Sequence, residues 1–179
     1  WLPELLAEEP AAITIHARTR KEMSLVPARW EHVKRGVEIR DALQNTPRPA
    51  GTPLKGRTLI LGNGDVTNLE DAKLKAEFSG ADGVMLGRAI FGNPWRFNKE
   101  KDIATIPLKE RLEMMVRHTK LFMELLGDTK SFAVMKKHYK AYVNGFDGAA
   151  ELRSKLMESQ SPEEVEKATQ LFIDSHNLA

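Results

Sequence analysis

Short runs of β-branched and aliphatic residues alternate with stretches in which apolar side chains recur every three or four positions, and this alternation predicts the fold. Ala12-Ile13-Thr14-Ile15-His16 predicts a buried strand, after which Trp30, Val33 and Val37 recur at helical spacing. Thr58-Leu59-Ile60-Leu61 predicts a second strand, and Thr67 with Glu70 forms the capping box of a helix that runs to Gly80 as its C′ residue. Gly83-Val84-Met85-Leu86 predicts a third strand, closed off by Gly92-Asn93-Pro94-Trp95. Strand, helix, strand, helix, strand implies an α/β fold with a parallel sheet and right-handed crossovers. Between the first helix and the second strand, Asn45 to Pro53 is rich in Pro and Gly. It predicts an exposed helix-to-strand loop, on the side away from any barrel chemistry.

After Phe97 the strand signal stops and helical periodicity alone remains, which sets the expected domains at 1–98 and 99–179. Leu108, Leu112, Met115, Thr119, Phe122 and Leu126 mark one apolar face ending at Gly127. On a second helix, Phe132, Met135, Tyr139, Tyr142 and Val143 share a sector of roughly 100°, with Lys136, Lys137 and Lys140 in the sector beside it. Asn144 to Gly148 breaks that helix, and a short one carries Leu152 and Leu156 beside Arg153 and Lys155. Ser161-Pro162-Glu163-Glu164 opens a last helix with an N-cap, a proline at N1 and acids in the first turn. Phe122, Phe132, Tyr139 and Tyr142 sit at core spacing and are expected to pack rather than stack on bases.

With 179 residues, 41% hydrophobic and 29% charged, the chain has enough apolar surface for a real core in one or two domains. No apolar run approaches the roughly 20 residues needed to span a bilayer, and no signal peptide opens the chain, so a cytoplasmic, non-membrane protein is expected. The chain begins at Trp1 without an initiator Met, as a processed or excised piece would. The absence of cysteine excludes disulfides, thiolate metal sites and any internal thiol acid, and no metal site is expected. The net charge of +2 conceals a local excess: six Lys/Arg face only Asp147 and Glu151 between Lys130 and Lys155.

The candidate chemistry lies where strands end in small polar turns. Gly62-Asn63-Gly64-Asp65 and Gly87-Arg88 follow apolar strands about 20 residues apart. Side by side they predict a phosphate cradle, since glycine lets backbone N–H groups approach an anion and a guanidinium balances its charge. In (β/α)8 barrels, phosphate commonly sits at the loops after the last two strands.

Ile13-Thr14-Ile15-His16-Ala17-Arg18-Thr19-Arg20, Gly62-Asn63-Gly64-Asp65, Asp82-Gly83-Val84-Met85-Leu86-Gly87-Arg88-Ala89 and Gly92-Asn93-Pro94-Trp95, in this order, resemble the tRNA-dihydrouridine synthase family. Met135-Lys136-Lys137-His138-Tyr139 and Gly148-Ala149-Ala150-Glu151-Leu152-Arg153 resemble its C-terminal helical domain, so the resemblance covers nearly the whole chain. It implies the last three βα units of an FMN-dependent TIM (β/α)8 barrel followed by an all-α helical bundle. The implied activity is reduction of uridine in tRNA to 5,6-dihydrouridine, with NADPH as reductant. The first 98 residues are too few for eight strands. The family's cysteine acid, the lysine of its fifth strand and its early flavin loops have no counterpart, which implies that this chain alone is inactive. The Pro-rich loop is also longer than the family's usual connection.

The resemblance sets His16 against FMN as a donor to the flavin edge and leaves Arg18 to meet flavin or tRNA. It likens Asn63, Gly64 and Asp65 to the ribityl- and phosphate-binding turn, with Asp65 accepting from a hydroxyl, and Gly87 and Arg88 to the second phosphate turn. Lys136, Lys137, Lys140, Arg153 and Lys155 become a tRNA backbone patch. Two other readings stay open: a different FMN or sugar-phosphate barrel acting on a small molecule, and a non-catalytic RNA-binding module. An incomplete barrel exposes strand edges at the Ile13 and Val84 strands, which predicts self-association, pairing with the missing N-terminal barrel segment, or poor solubility.

Overall fold

A computed structural model describes residues 1–44 and 56–178. The expected Pro-rich loop at 45–53 lies outside the described residues. The chain divides into two compact units, Trp1–Ala89 and Ile90–Ala179.

In the first unit, helix α1 (Leu2–Ala7) precedes strand β1 (Ala12–His16), followed by α2 (Trp30–Gln44), β2 (Leu59–Asn63), α3 (Leu69–Ser79) and β3 (Gly83–Met85). The strands form one parallel sheet in the order β1-β2-β3. His16 pairs with Asn63, and Asn63 with Met85, so all three strands end at the same edge of the sheet. Strand side chains alternate between faces. Ile13, Ile15, Ile60 and Val84 pack with Trp30, Val33 and Val37 of α2 to make the core. On the other face Ala12, Thr14 and His16 are exposed, and Leu59 and Met85 remain 46% and 52% exposed. Among the described residues, β1 and β3 each have one edge without a neighbouring strand.

Strand ends and one helix cap differ from expectation, with β3 stopping at Met85 rather than Leu86 and β2 starting at Leu59 rather than Thr58. Strand β2 runs through Gly62 and Asn63, so the turn begins at Gly64. The cap of α3 is Asn68, whose side chain accepts from Asp71 N–H, rather than the expected Thr67–Glu70 pair. The Asp71 carboxylate instead reaches back to Thr67, accepting from its N–H at 2.8 Å and its hydroxyl at 3.1 Å. Asn is among the strongest N-caps, so a capping position one residue later wins. Gly80 does end the helix in the left-handed conformation.

At the opposite end of the sheet, Arg40 of α2 is fully buried. Its guanidinium donates to Asp41 at 2.7 Å, to the Thr58 carbonyl at 3.2 Å and to Asp82. Asp82 also accepts from Ile60 N–H at 2.7 Å, which pins the entries of β2 and β3 to α2.

The second unit has 3-10 turns at Arg88–Ile90, on its border, and Ile103–Thr105, then α4 (Leu108–Leu126), α5 (Ala133–Tyr142), α6 (Ala149–Glu158) and α7 (Pro162–Ser175). One cluster joins Leu112, Met115, Met135, Tyr139, Tyr142, Leu152, Leu156, Val165 and Phe172, with Phe122 and Phe132 packed against it. The four aromatics assigned to packing are thus in or beside the core. Ser161 caps α7 as expected, accepting from Glu164 N–H. No described helix is long and apolar enough to cross a membrane.

Candidate cofactor site

The three strand ends open onto a pocket of about 660 Å³, lined by His16, Arg18, Asn63, Gly64, Asp65, Val66, Thr67, Gly87, Arg88 and Ala89. All seven residues singled out for cofactor binding are therefore neighbours here. Val66, Thr67 and Ala89 are additions that the sequence did not flag.

His16 is the last residue of β1, and its Nδ1 accepts from Arg18 N–H at 3.2 Å. A neutral imidazole accepting there carries its proton on Nε2, which makes that nitrogen a donor. Asn63 ends β2 and donates through Nδ2 to the Met85 carbonyl at 2.7 Å, tying two strand ends together. Close packing shapes the turn. A Cβ on Gly62 would come within 2.2 Å of the Trp30 ring, and Gly64, at φ +129°, presents its carbonyl to the Trp30 indole N–H at 2.9 Å.

Asp65 follows with φ +48°, a left-handed conformation uncommon outside glycine. Its Oδ2 accepts from Arg18 Nη1 at 2.7 Å and Ala28 N–H at 2.9 Å, and its Oδ1 from Arg88 Nη2 at 3.2 Å. The carboxylate expected to meet a hydroxyl is thus already engaged by protein donors. Burial pushes the Asp65 carboxyl up, but the Ala28 N–H and the Arg18 and Arg88 guanidiniums outweigh it and hold the group below its ordinary range. Arg18 Nη1 also donates to the Val26 carbonyl at 2.9 Å, while Arg18 Nε is buried with no hydrogen-bond partner among the described residues. Arg88 is exposed and reaches the Ser24 hydroxyl at 3.2 Å.

These residues suit a phosphorylated cofactor such as FMN. A Cβ at Gly87 would meet nothing within 4 Å, so the protein's own packing leaves that side of the pocket clear. An exposed guanidinium and an imidazole N–H supply donors that a phosphate and an anionic ring edge require.

The basic residues of the second unit behave unequally. Lys136 donates to the Met157 carbonyl at 2.7 Å and Arg153 to the Val143 carbonyl at 2.8 Å, so both tie helix ends together. Lys137, Lys140 and Lys155 are exposed. A separate pocket of about 570 Å³ is lined by Phe91, Asn93, Met114, His118, His138 and Tyr142, among others. The two imidazole rings lie 5.4 Å apart, and His118 Nδ1 is 3.2 Å from the Tyr142 hydroxyl. Burial lowers the basicity of both histidines and pushes the Tyr142 hydroxyl up to about 12.

The family model for dihydrouridine synthase (Dus) matches residues 7–177. The chain is 38% identical over 162 residues to a probable tRNA-dihydrouridine synthase of Staphylococcus aureus (strain MRSA252), covering 90% of this chain and 45% of that protein. It is 35% identical over 167 residues to a probable tRNA-dihydrouridine synthase 2 of Bacillus subtilis (strain 168), covering 92% and 47%. To a probable tRNA-dihydrouridine synthase of Staphylococcus epidermidis it is 35% identical over 173 residues, covering 96% and 49%. The chain thus spans about half the length of the curated relatives it matches. Strand ends, turn and helical region all fall within the matched residues, and the chain belongs to the dihydrouridine synthase family.

Proposed function

We propose that this chain supplies the phosphate- and ribityl-facing part of the FMN site, and the tRNA-facing helices, of an enzyme that reduces uridine in tRNA to dihydrouridine. The observation that carries the reading is the convergence of His16, Asn63, Asp65, Gly87 and Arg88 on one pocket at the C-terminal edge of the parallel sheet. FMN, when bound, supplies the hydride for uracil and is recharged by NADPH. The protein's part is to bind, orient and balance charge.

His16 offers its Nε2 proton to the edge of the ring system where negative charge gathers, and it needs no rearrangement because Arg18 N–H already fixes its tautomer. Asn63 and the turn at Gly64 face the polar chain, while Gly87 and Arg88 receive the phosphate. Lys137, Lys140 and Lys155 meet the tRNA backbone, reading charge and shape more than sequence. Lys136 and Arg153 serve the fold of that surface. The target base must leave its stack to reach a flavin pocket.

Protonation of the second uracil carbon calls for a general acid, a contribution typically worth about 10²–10⁴-fold. The 179 residues include no cysteine to provide it. The outer edges of β1 and β3, which have no neighbouring strand among the described residues, suit pairing with further strands of a barrel, or with a second copy.

The test combines the purified chain with FMN, NADPH and tRNA. Saturable flavin uptake and a salt-sensitive tRNA gel shift, without dihydrouridine formation, are expected. Detectable dihydrouridine refutes the inactivity of the chain alone. Flavin uptake without a tRNA shift selects a small-molecule enzyme, and a tRNA shift without flavin uptake selects a non-catalytic RNA-binding module.

A further inference from the structure

We propose that Asp65 is a positioning residue that divides the two arginines of the pocket: it locks Arg18 in place and holds Arg88 loosely, so that Arg88 alone exchanges onto an incoming phosphate group. The inference deepens the cofactor-site reading and rests on it for the identity of the ligand.

The two carboxylate oxygens are used differently. Oδ2 accepts twice, from Arg18 Nη1 at 2.7 Å and from Ala28 N–H at 2.9 Å, whereas Oδ1 accepts only from Arg88 at 3.2 Å among the described residues. The arginines differ in the same sense. The Arg18 side chain is 5% exposed and is held a second time by the Val26 carbonyl, so leaving Asp65 would strand a buried charge. Arg88 is 65% exposed, and its second partner is the Ser24 hydroxyl, so solvent or a ligand oxygen replaces both of its bonds readily.

Asp65 itself cannot drift. Its left-handed backbone follows Gly64 at φ +129°, and Lys75 of α3 donates to its carbonyl at 2.9 Å. With one carboxylate against two guanidiniums, the trio keeps one positive charge in excess. Arg88 is the member able to deliver it to a phosphate. Arg18 stays fixed in both states, held by Asp65 and the Val26 carbonyl. When Arg88 transfers, Ser24 is released, and the segment between β1 and α2 loses one of its polar moorings to the pocket.

The test is isotope-labelled arginine NMR of the 179-residue chain, titrated separately with FMN and with inorganic phosphate. Slowly exchanging Arg18 guanidinium signals are expected before addition and should persist unchanged through the titration, while Arg88 signals shift saturably. In Asp65→Asn without ligand, the sharp Arg18 signals should be lost. In Arg88→Gln, they should remain and the titration should produce no shift. Arg18 signals that move while Arg88 stays silent, or that survive Asp65→Asn, overturn the proposal. If neither arginine of the unaltered chain responds to FMN or phosphate, the cofactor reading and the exchange fall together. The Asp65→Asn comparison, made without ligand, still decides the lock on Arg18, and Arg88→Gln decides it separately should Asp65→Asn not fold.

Discussion

Arg18 and Asp65, 47 positions apart in the chain, share a 2.7 Å hydrogen-bonded ion pair that ties the exit of β1 to the exit of β2. Asp65→Ala leaves the Arg18 guanidinium buried and uncompensated. Breaking a buried pair from one side costs about 3–5 kcal/mol, and the 35% exposure of Asp65 lowers the expectation to about 2–3 kcal/mol. Urea unfolding of the variant measures it, and a change below about 0.5 kcal/mol, the range of an ordinary surface substitution, would contradict the burial argument.

Gly92 and Gly145 form a natural pair for separating backbone strain from collision. Both are left-handed, at φ +71° and +75°, but a Cβ on Gly92 would lie 2.3 Å from the Ala141 carbonyl oxygen, while one on Gly145 meets nothing within 4 Å. Gly145→Ala should cost about 1–2 kcal/mol for the left-handed conformation alone. Gly92→Ala should cost clearly more, because the collision is with backbone that cannot rotate away. Equal melting temperatures for the two variants would count against this packing.

Acid should weaken both units, in different windows. The folded Asp65 and Asp82 carboxyls titrate below their unfolded values, so their contribution is complete above about pH 4 and is lost as pH falls through the lowered folded values. For His118 and His138, burial lowers the folded pKa, so their contribution is complete above about pH 6.5 and drains as pH falls toward the folded values. Denaturant unfolding across pH 7 to 4 should show the second unit losing stability first, and His138→Gln should flatten that early slope. An unchanged slope in the variant would remove His138 from the account.

The lysines should separate by role. Replacing Lys137, Lys140 and Lys155 together by Glu should abolish the tRNA gel shift with little effect on melting, because all three are exposed. Lys136→Ala and Arg153→Ala each remove a bond to a helix-end carbonyl, and should lower stability by about 1–2 kcal/mol. A triple variant that binds tRNA as before would leave the patch without a role.

Light scattering should find the chain self-associated or aggregating, since the edges of β1 and β3 and the exposed Leu59 and Met85 side chains invite pairing. A monodisperse monomer at high concentration would speak against open edges.

The three strands were legible because each is a short apolar run bounded by turn residues, and α2 because Trp30, Val33 and Val37 mark a single face. The six-residue α1 was not, being shorter than two helical turns with only Leu2 and Leu6 buried. Convergence of the candidate site followed from strand ends alone. What escaped was the use of charge. Arg40 sits on a helix like any surface arginine, yet is buried among partners up to 42 residues away, and Asp65 answers to donors 23 to 47 residues distant. Lys136 and Arg153 also reach carbonyls at the ends of other helices, contacts that the local basic pattern does not reveal. Local pattern encodes periodicity and caps, whereas long-range pairing of ions depends on which segments the sheet has already brought together.

The Trp30 indole, buried against Gly62 and bonded to the Gly64 carbonyl, has one further consequence. Its emission is sensitive to the turn that lines the pocket, so loosening of that turn should redden and dim the Trp30 contribution against a background from the solvent-facing Trp1 and the half-buried Trp95. The molecule carries its own optical gauge of whether the corner where its strands end is intact.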